Sequence, residues 1–205
     1  MKITKIETQK RRQDRVNIYI DDRFAFGLTD TLRYKYDLFK DKEVSQEFID
    51  DVLNAEEQNK VIEYTLKFLS YRERSQKEVY DRLKIRGYDE DKINNAINYC
   101  LDKNYINDTR FAETFIQEKT EINKLGSYRI KQELSIKGIS REIIEEVLEP
   151  DYEQELEMAT ELALKKVSSY KNDNRNAQYR KLGGYLQRRG YNFDIVREVL
   201  ENILD

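Results

Sequence analysis

A phrase with glycine at its centre occurs three times in the chain: "LKIRGYDEDKI" from Leu83 to Ile93, "LSIKGISREII" from Leu134 to Ile144, and "LQRRGYNFDIV" from Leu186 to Val196. The glycines, Gly87, Gly138 and Gly190, stand 51 and 52 residues apart in a sequence with only 7 glycines among 205 residues. An interval of that size marks a repeat array, in which each unit is too small to bury its apolar face alone and stacks on its neighbours.

The flanks say what the unit is. Eight residues before the glycine stand Val79, Ile130 and Leu182, and four before it Leu83, Leu134 and Leu186. That spacing is one face of a helix. Six and ten residues after it come Ile93 and Ile97, Ile144 and Leu148, Val196 and Leu200, which predict a second helix. Each glycine therefore falls at a helix C-terminus, where a left-handed residue without a Cβ closes the last turn. Asp89 and Ser140 are placed to cap the helices that follow. "SQKE", Ser75 to Glu78, has the form of a capping box, with Ser75 accepting from the backbone near Glu78 and Glu78 reaching back. Tyr88 and Tyr191 follow their glycines where the middle unit has Ile139, the pattern of a residue packed on the helix end.

A third apolar helix precedes each pair, over 56–71, 109–122 and 153–167. The expected fold is mainly α, with three tandem three-helix repeats forming an elongated curved rod. Repeat boundaries are expected at 55–108, 109–150 and 151–205, with Pro150 stopping a helix at the second junction. Residues 1–54 read differently. "ITKIET", "RVNIYID" and "RFAFGL" alternate apolar and polar residues, with Val16, Ile18 and Ile20 on one face and Phe24, Phe26 and Leu28 on the matching face of the next segment. With Asp21-Asp22 as the turn, this predicts a small antiparallel sheet leaning on a helix over 29–36.

Composition narrows the chemistry. There is no histidine and one cysteine, so the usual zinc sets and the serine and cysteine nucleophile pairs are missing. Cys100 lies on the apolar face of Ile93, Ala96 and Ile97, as a small buried hydrophobe. No Gly-x-x-x-x-Gly-Lys loop is present, and "KLGGYL" at 181–186 reads as a bend or close-packing point within a helix. The carboxylate pairs Asp21-Asp22 and Asp50-Asp51 fall at a turn and on a polar helix face. Neither suits a magnesium site. No enzyme activity, metal or cofactor is expected. No run is long and apolar enough for a membrane span, and the first residues lack the apolar centre of a signal peptide, so the expected location is the cytoplasm.

The net charge is -3, and the four segments carry about 0, -1, -1 and -1, which gives no global pull toward nucleic acid. Any contact with an acidic partner must come from local residues. Arg72 and Arg74 flank the entry to the second helix of the first repeat, and Arg82, Lys84 and Arg86 line its end. Arg129, Lys131 and Lys137 fill comparable places in the second repeat, and Arg180, Lys181, Arg188 and Arg189 in the third. Stacking of the repeats would align them, and arginine forks suit phosphates and carboxylates alike. Tyr71, beside Arg72, is the aromatic candidate for the same contact.

The segment "YRERSQKEVYDRLKIRGYDEDKINNAINYCLDKNYINDTRFAETF", Tyr71 to Phe115, resembles the RecX family of bacterial regulators of the RecA recombinase. The middle unit repeats the resemblance through Gly126, Arg129, Ile130, Glu133, Leu134, Lys137, Gly138 and Ile139, and "YRKLGGYLQRRGYNFDIVREVL" matches the family's looser end. The chain departs from the family pattern at Asn104, where glycine is common, and at Ser127, where proline is frequent. The resemblance implies a cytoplasmic protein of tandem three-helix repeats, and a monomer is expected. It implies that the protein lies along the groove of the RecA filament on single-stranded DNA and restrains its ATP hydrolysis and strand exchange. It also implies weak, sequence-independent affinity for single- and double-stranded DNA. The alternative is a sequence-independent DNA-binding helical repeat protein that acts without RecA.

Overall fold

The computed structural model describes residues 1–204. Strands β1 (Ile3–Thr8), β2 (Arg15–Ile20) and β3 (Arg23–Thr29) form an antiparallel sheet in chain order. Asp21 and Asp22 both take positive φ, 46° and 64°, the geometry that a two-residue hairpin turn needs. Val16, Ile18 and Ile20 are buried as their alternation predicts, and so are Phe26 and Leu28. Phe24 is not. Ile18 pairs with Phe26 and Tyr19 with Phe24, so Ala25 is an extra residue in β3 that reverses the alternation behind it. Phe24 consequently lies 60% exposed, edge-on to Tyr19 with ring centroids 5.9 Å apart.

Ten α-helices follow: α1 (Asp30–Lys35), α2 (Gln46–Leu69), α3 (Gln76–Ile85), α4 (Glu90–Asp102), α5 (Asp108–Glu121), α6 (Ser127–Ile136), α7 (Arg141–Val147), α8 (Tyr152–Val167), α9 (Arg175–Arg189) and α10 (Phe193–Leu204). A single 3-10 turn, Ser168–Tyr170, extends α8. The division expected after residue 54 falls inside α2. Its two apolar stretches belong to one continuous helix of 24 residues, because no glycine, proline or cap interrupts them.

The chain folds as two compact units, one of Met1–Tyr71 with Leu83–Asp102, the other of Arg72–Arg82 with Lys103 to the end of the described chain. In the first, the inner face of the sheet, Leu32, Leu38 and the start of α2 share one core. Arg15 on β2 and Glu56 on α2 form a buried ion pair, and Glu56 also accepts the Thr29 amide at 3.2 Å. Burying such a pair is tolerated because its remaining polar atoms are satisfied as well. Here α4 lies against α2, with the Gln58 side chain donating to the Lys92 carbonyl at 3.1 Å. Cys100 is fully buried on α4, and burial pushes its thiol up to about 11.

The second unit holds two cores, one around Phe111, Ile130, Leu134 and Ile144, the other around Leu182, Leu186, Val196 and Leu200. Within α9, Gly183 is a close-packing point. A Cβ there would meet Leu200 Cδ1 at 3.2 Å.

Candidate partner interface

Gly87, Gly138 and Gly190 have φ of 86°, 83° and 93°, left-handed as the repeated phrase predicts. Each ends its helix in the same way. The amides of Tyr88, Ile139 and Tyr191 reach back to the carbonyls of Leu83, Leu134 and Leu186, and the glycine amides to those of Lys84, Ser135 and Gln187. This is a Schellman motif, and it brings the apolar residue after the glycine onto the last turn of the helix.

The motif leaves the carbonyls of the two residues before the glycine without a partner in the helix, and the one next to the glycine faces outward from the helix end. In the second unit that carbonyl is what joins helices of successive repeats. The Lys137 carbonyl accepts from Ser75 Oγ at 2.7 Å, and the Arg189 carbonyl accepts from the Gly126 amide at 3.0 Å. Orphan acceptors at one helix end thereby meet donors at another helix start. The Tyr128 amide donates in turn to the Gly190 carbonyl at 3.3 Å, the Ser127 amide to Glu155 at 2.7 Å, and the Tyr191 hydroxyl to the Lys124 carbonyl at 2.9 Å.

Side chains reinforce these joints. Ser75 accepts the Glu78 amide at 3.2 Å as the capping box requires, yet Glu78 does not reach back. Its carboxylate is held by both terminal nitrogens of Arg72, at 3.0 and 3.1 Å, and by the Lys137 ammonium. Two charged partners outcompete one amide for the same oxygens. Burial pushes the Glu78 carboxyl up, but the bonds from Arg72 and Lys137 outweigh it and hold it below the usual range. Arg110 makes a second fork with Glu73, at 2.9 and 3.2 Å, and Asp108 accepts the Gln76 amide at 2.8 Å.

The basic residues singled out in the sequence thus have varied surroundings. Arg72 and Lys137 meet on Glu78 and line a cleft of about 600 Å³ floored by Phe111 and Phe115. Arg74 is half-buried, and burial, followed by the charge of Arg72, lowers the hold of its guanidinium on its proton. Arg82 is exposed. Lys84 pairs with Glu90 at 2.6 Å, and Arg86 lies over the Tyr64 ring, 5.3 Å from its centroid. Lys131 stands 3.9 Å from Glu145, and Lys181 2.7 Å from Asp173. Arg129, Arg188 and Arg189 line one further cleft, where Arg129 bonds Glu133 at 2.8 Å and Arg189 bonds the Asn123 carbonyl at 2.6 Å. Among the described residues Arg180 and Arg188 have no acidic neighbour within ion-pair distance. Tyr71 is 72% exposed.

Sequence reasoning missed Glu78 as the residue that gathers two cations, since its partner Lys137 is 59 residues away.

Profiles of RecX regulatory proteins match the chain in four stretches: the N-terminal domain over residues 1–45, and the first, second and third three-helix domains over 62–100, 107–148 and 153–200. The regulatory protein RecX of Clostridioides difficile is 36% identical over 99% of this chain and 96% of its own length. The chain belongs to the RecX family. The RecX of Clostridium beijerinckii is likewise 36% identical, again over 99% and 96% of the two chains. A crystal structure of a RecX protein superposes with a TM-score of 0.84 at 27% identity, covering 98% of both chains, and that of RecX from Lactobacillus salivarius with 0.65 at 30%, covering 73% of this chain. In this RecX chain no cluster of three or more potential metal ligands occurs among the described residues, and none of their helices is long and apolar enough to cross a membrane.

Proposed function

We propose that this chain is a cytoplasmic, monomeric regulator that binds the RecA filament on single-stranded DNA and restrains its ATP hydrolysis and strand exchange. The observation that carries the reading is family membership along the whole chain, N-terminal sheet and all three helical repeats included. Tandem units suit a polymeric target. Several weak contacts become one tight composite site once the first has formed, because each later contact is intramolecular. Arg180 and Arg188, exposed and without an acidic neighbour within ion-pair distance among the described residues, are assigned to the partner, together with exposed Tyr71. Arg72 and Lys137 are assigned to holding the repeats, since Glu78 takes both.

The test is ATP hydrolysis by RecA on single-stranded DNA, with the chain titrated far below one copy per RecA. Suppression at such ratios is expected. Suppression only when the chain saturates the DNA would overturn the proposal in favour of simple competition for the strand by a DNA-binding repeat protein.

A further inference from the structure

The cleft where α6 meets the end of α9 differs in charge from four other clefts of the same unit. Its volume is about 520 Å³, and its lining carries Arg129, Arg188 and Arg189 against the single acid Glu133. Its neighbours carry no such excess. The cleft beside Arg72 has three acids to three bases, that beside Pro150 has five acids and no base, that along α8 has three acids and no base, and the last has one of each. A chain of net charge -3 has therefore gathered local positive charge here.

Two further features bear on what the charge is for. Tyr128 stands at the edge of this cleft with 64% of its surface exposed, although its amide is fixed by the Gly190 carbonyl. An aromatic ring open to solvent at the mouth of a basic cleft offers a face on which a planar group can stack. Arg188 lines the cleft without an ion-pair partner among the described residues, and its guanidinium folds back along α9, with Nη1 3.3 Å from where a Cβ on Gly184 would stand. The start of α6 is not itself the attraction. The Gly126, Ser127 and Tyr128 amides are already bonded to Arg189, Glu155 and Gly190.

We propose that this cleft is a binding site for single-stranded nucleic acid, in which Arg188 and Arg129 take backbone phosphates and one unpaired base stacks on Tyr128. Single strands are favoured over duplex because only an unstacked base offers its face to a side-chain ring. An acidic protein segment would use the arginines but have no use for the ring. The inference rests on the reading that the chain works on DNA-bound RecA, and it fails separately from it.

The experiment is anisotropy of labelled oligo-dT titrated with the full chain in the absence of RecA, over a series of salt concentrations. Tyr128→Ala is expected to weaken binding by about 5- to 100-fold, and Tyr128→Phe, which keeps the ring, to bind within about two-fold of the parent. Arg188→Ala is expected to flatten the dependence of log affinity on log salt by about 0.7. Arg141→Ala, the same change of net charge at an exposed position outside the cleft, is expected to leave that slope alone. Oligo-dT affinity unaltered by both Tyr128→Ala and Arg188→Ala would overturn the site. So would suppression of RecA hydrolysis by a chain that does not bind oligo-dT, and the cleft would then belong to an acidic segment of a protein.

Discussion

Ser75 Oγ and the Lys137 carbonyl, 62 residues apart in sequence, share a hydrogen bond of 2.7 Å with the serine fully buried. The hydroxyl donates to the open end of α6 while accepting from the first turn of α3. One small side chain thus closes two helix termini.

Removing it should cost more than removing an ordinary cap. Ser75→Ala leaves the Glu78 amide and the Lys137 carbonyl without these partners, for a loss of about 2 kcal/mol. Ser140, which caps only its own helix through the Ile143 amide at 3.3 Å, should cost about 1 kcal/mol when changed to alanine. Urea denaturation midpoints of the two variants measure the difference, and equal shifts would contradict the double role.

The repeat glycines are equivalent in backbone but not in surroundings. Apart from Gly87 itself and its immediate chain neighbours, nothing described lies within 4 Å of where a Cβ on Gly87 would stand, whereas a Cβ on Gly190 would run into the Arg129 backbone, with its Cα at 2.8 Å. Gly87→Ala should cost about 1 to 2 kcal/mol, the penalty of the left-handed conformation alone. Gly190→Ala adds an overpacking cost of about 1 to 3 kcal/mol, because neither backbone can retreat without breaking the bond from Gly126 to Arg189. Thermal melts of the two variants should separate clearly, and Gly87→Asn should be the mildest, since asparagine tolerates positive φ.

Glu78 gives the array an acid-sensitive joint. Its carboxyl is held below the usual range by Arg72 and Lys137 against the opposing effect of burial, so the folded state binds this proton less readily than the unfolded chain does. That contribution is complete above the ordinary glutamate value of about 4.3 and is lost as pH falls through the lower folded value. The difference in stability between the parent and Glu78→Gln should therefore be largest near neutral pH and shrink in acid. A difference that holds constant from pH 7 to pH 3 would show that the charge on Glu78 does not matter.

What could be read from the sequence was whatever is local. The three left-handed glycines, the apolar residue after each, the Asp21-Asp22 turn and the buried Cys100 all follow from spacings of ten residues or fewer. The exposed Phe24 does not, because the extra residue Ala25 in β3 is settled by pairing with β2 and leaves no mark in an alternating pattern. The continuity of α2 is hidden for a related reason. A helix that passes from one core to another changes its buried face midway, which in sequence looks like an ending. At the candidate interface the basic residues were visible, but not which of them are already engaged. Arg72 and Arg188 look alike in a string of letters, and Glu78 alone distinguishes them.

The joint between repeats is made with the carbonyl of the residue ahead of the glycine, a group that every amino acid carries. Lys137 and Arg189 lend their backbone to this joint, so what projects from that position is not dictated by it. The assembly can keep its architecture while the chemistry at these points is rewritten, which leaves related chains free to change what they grip without relearning how to fold.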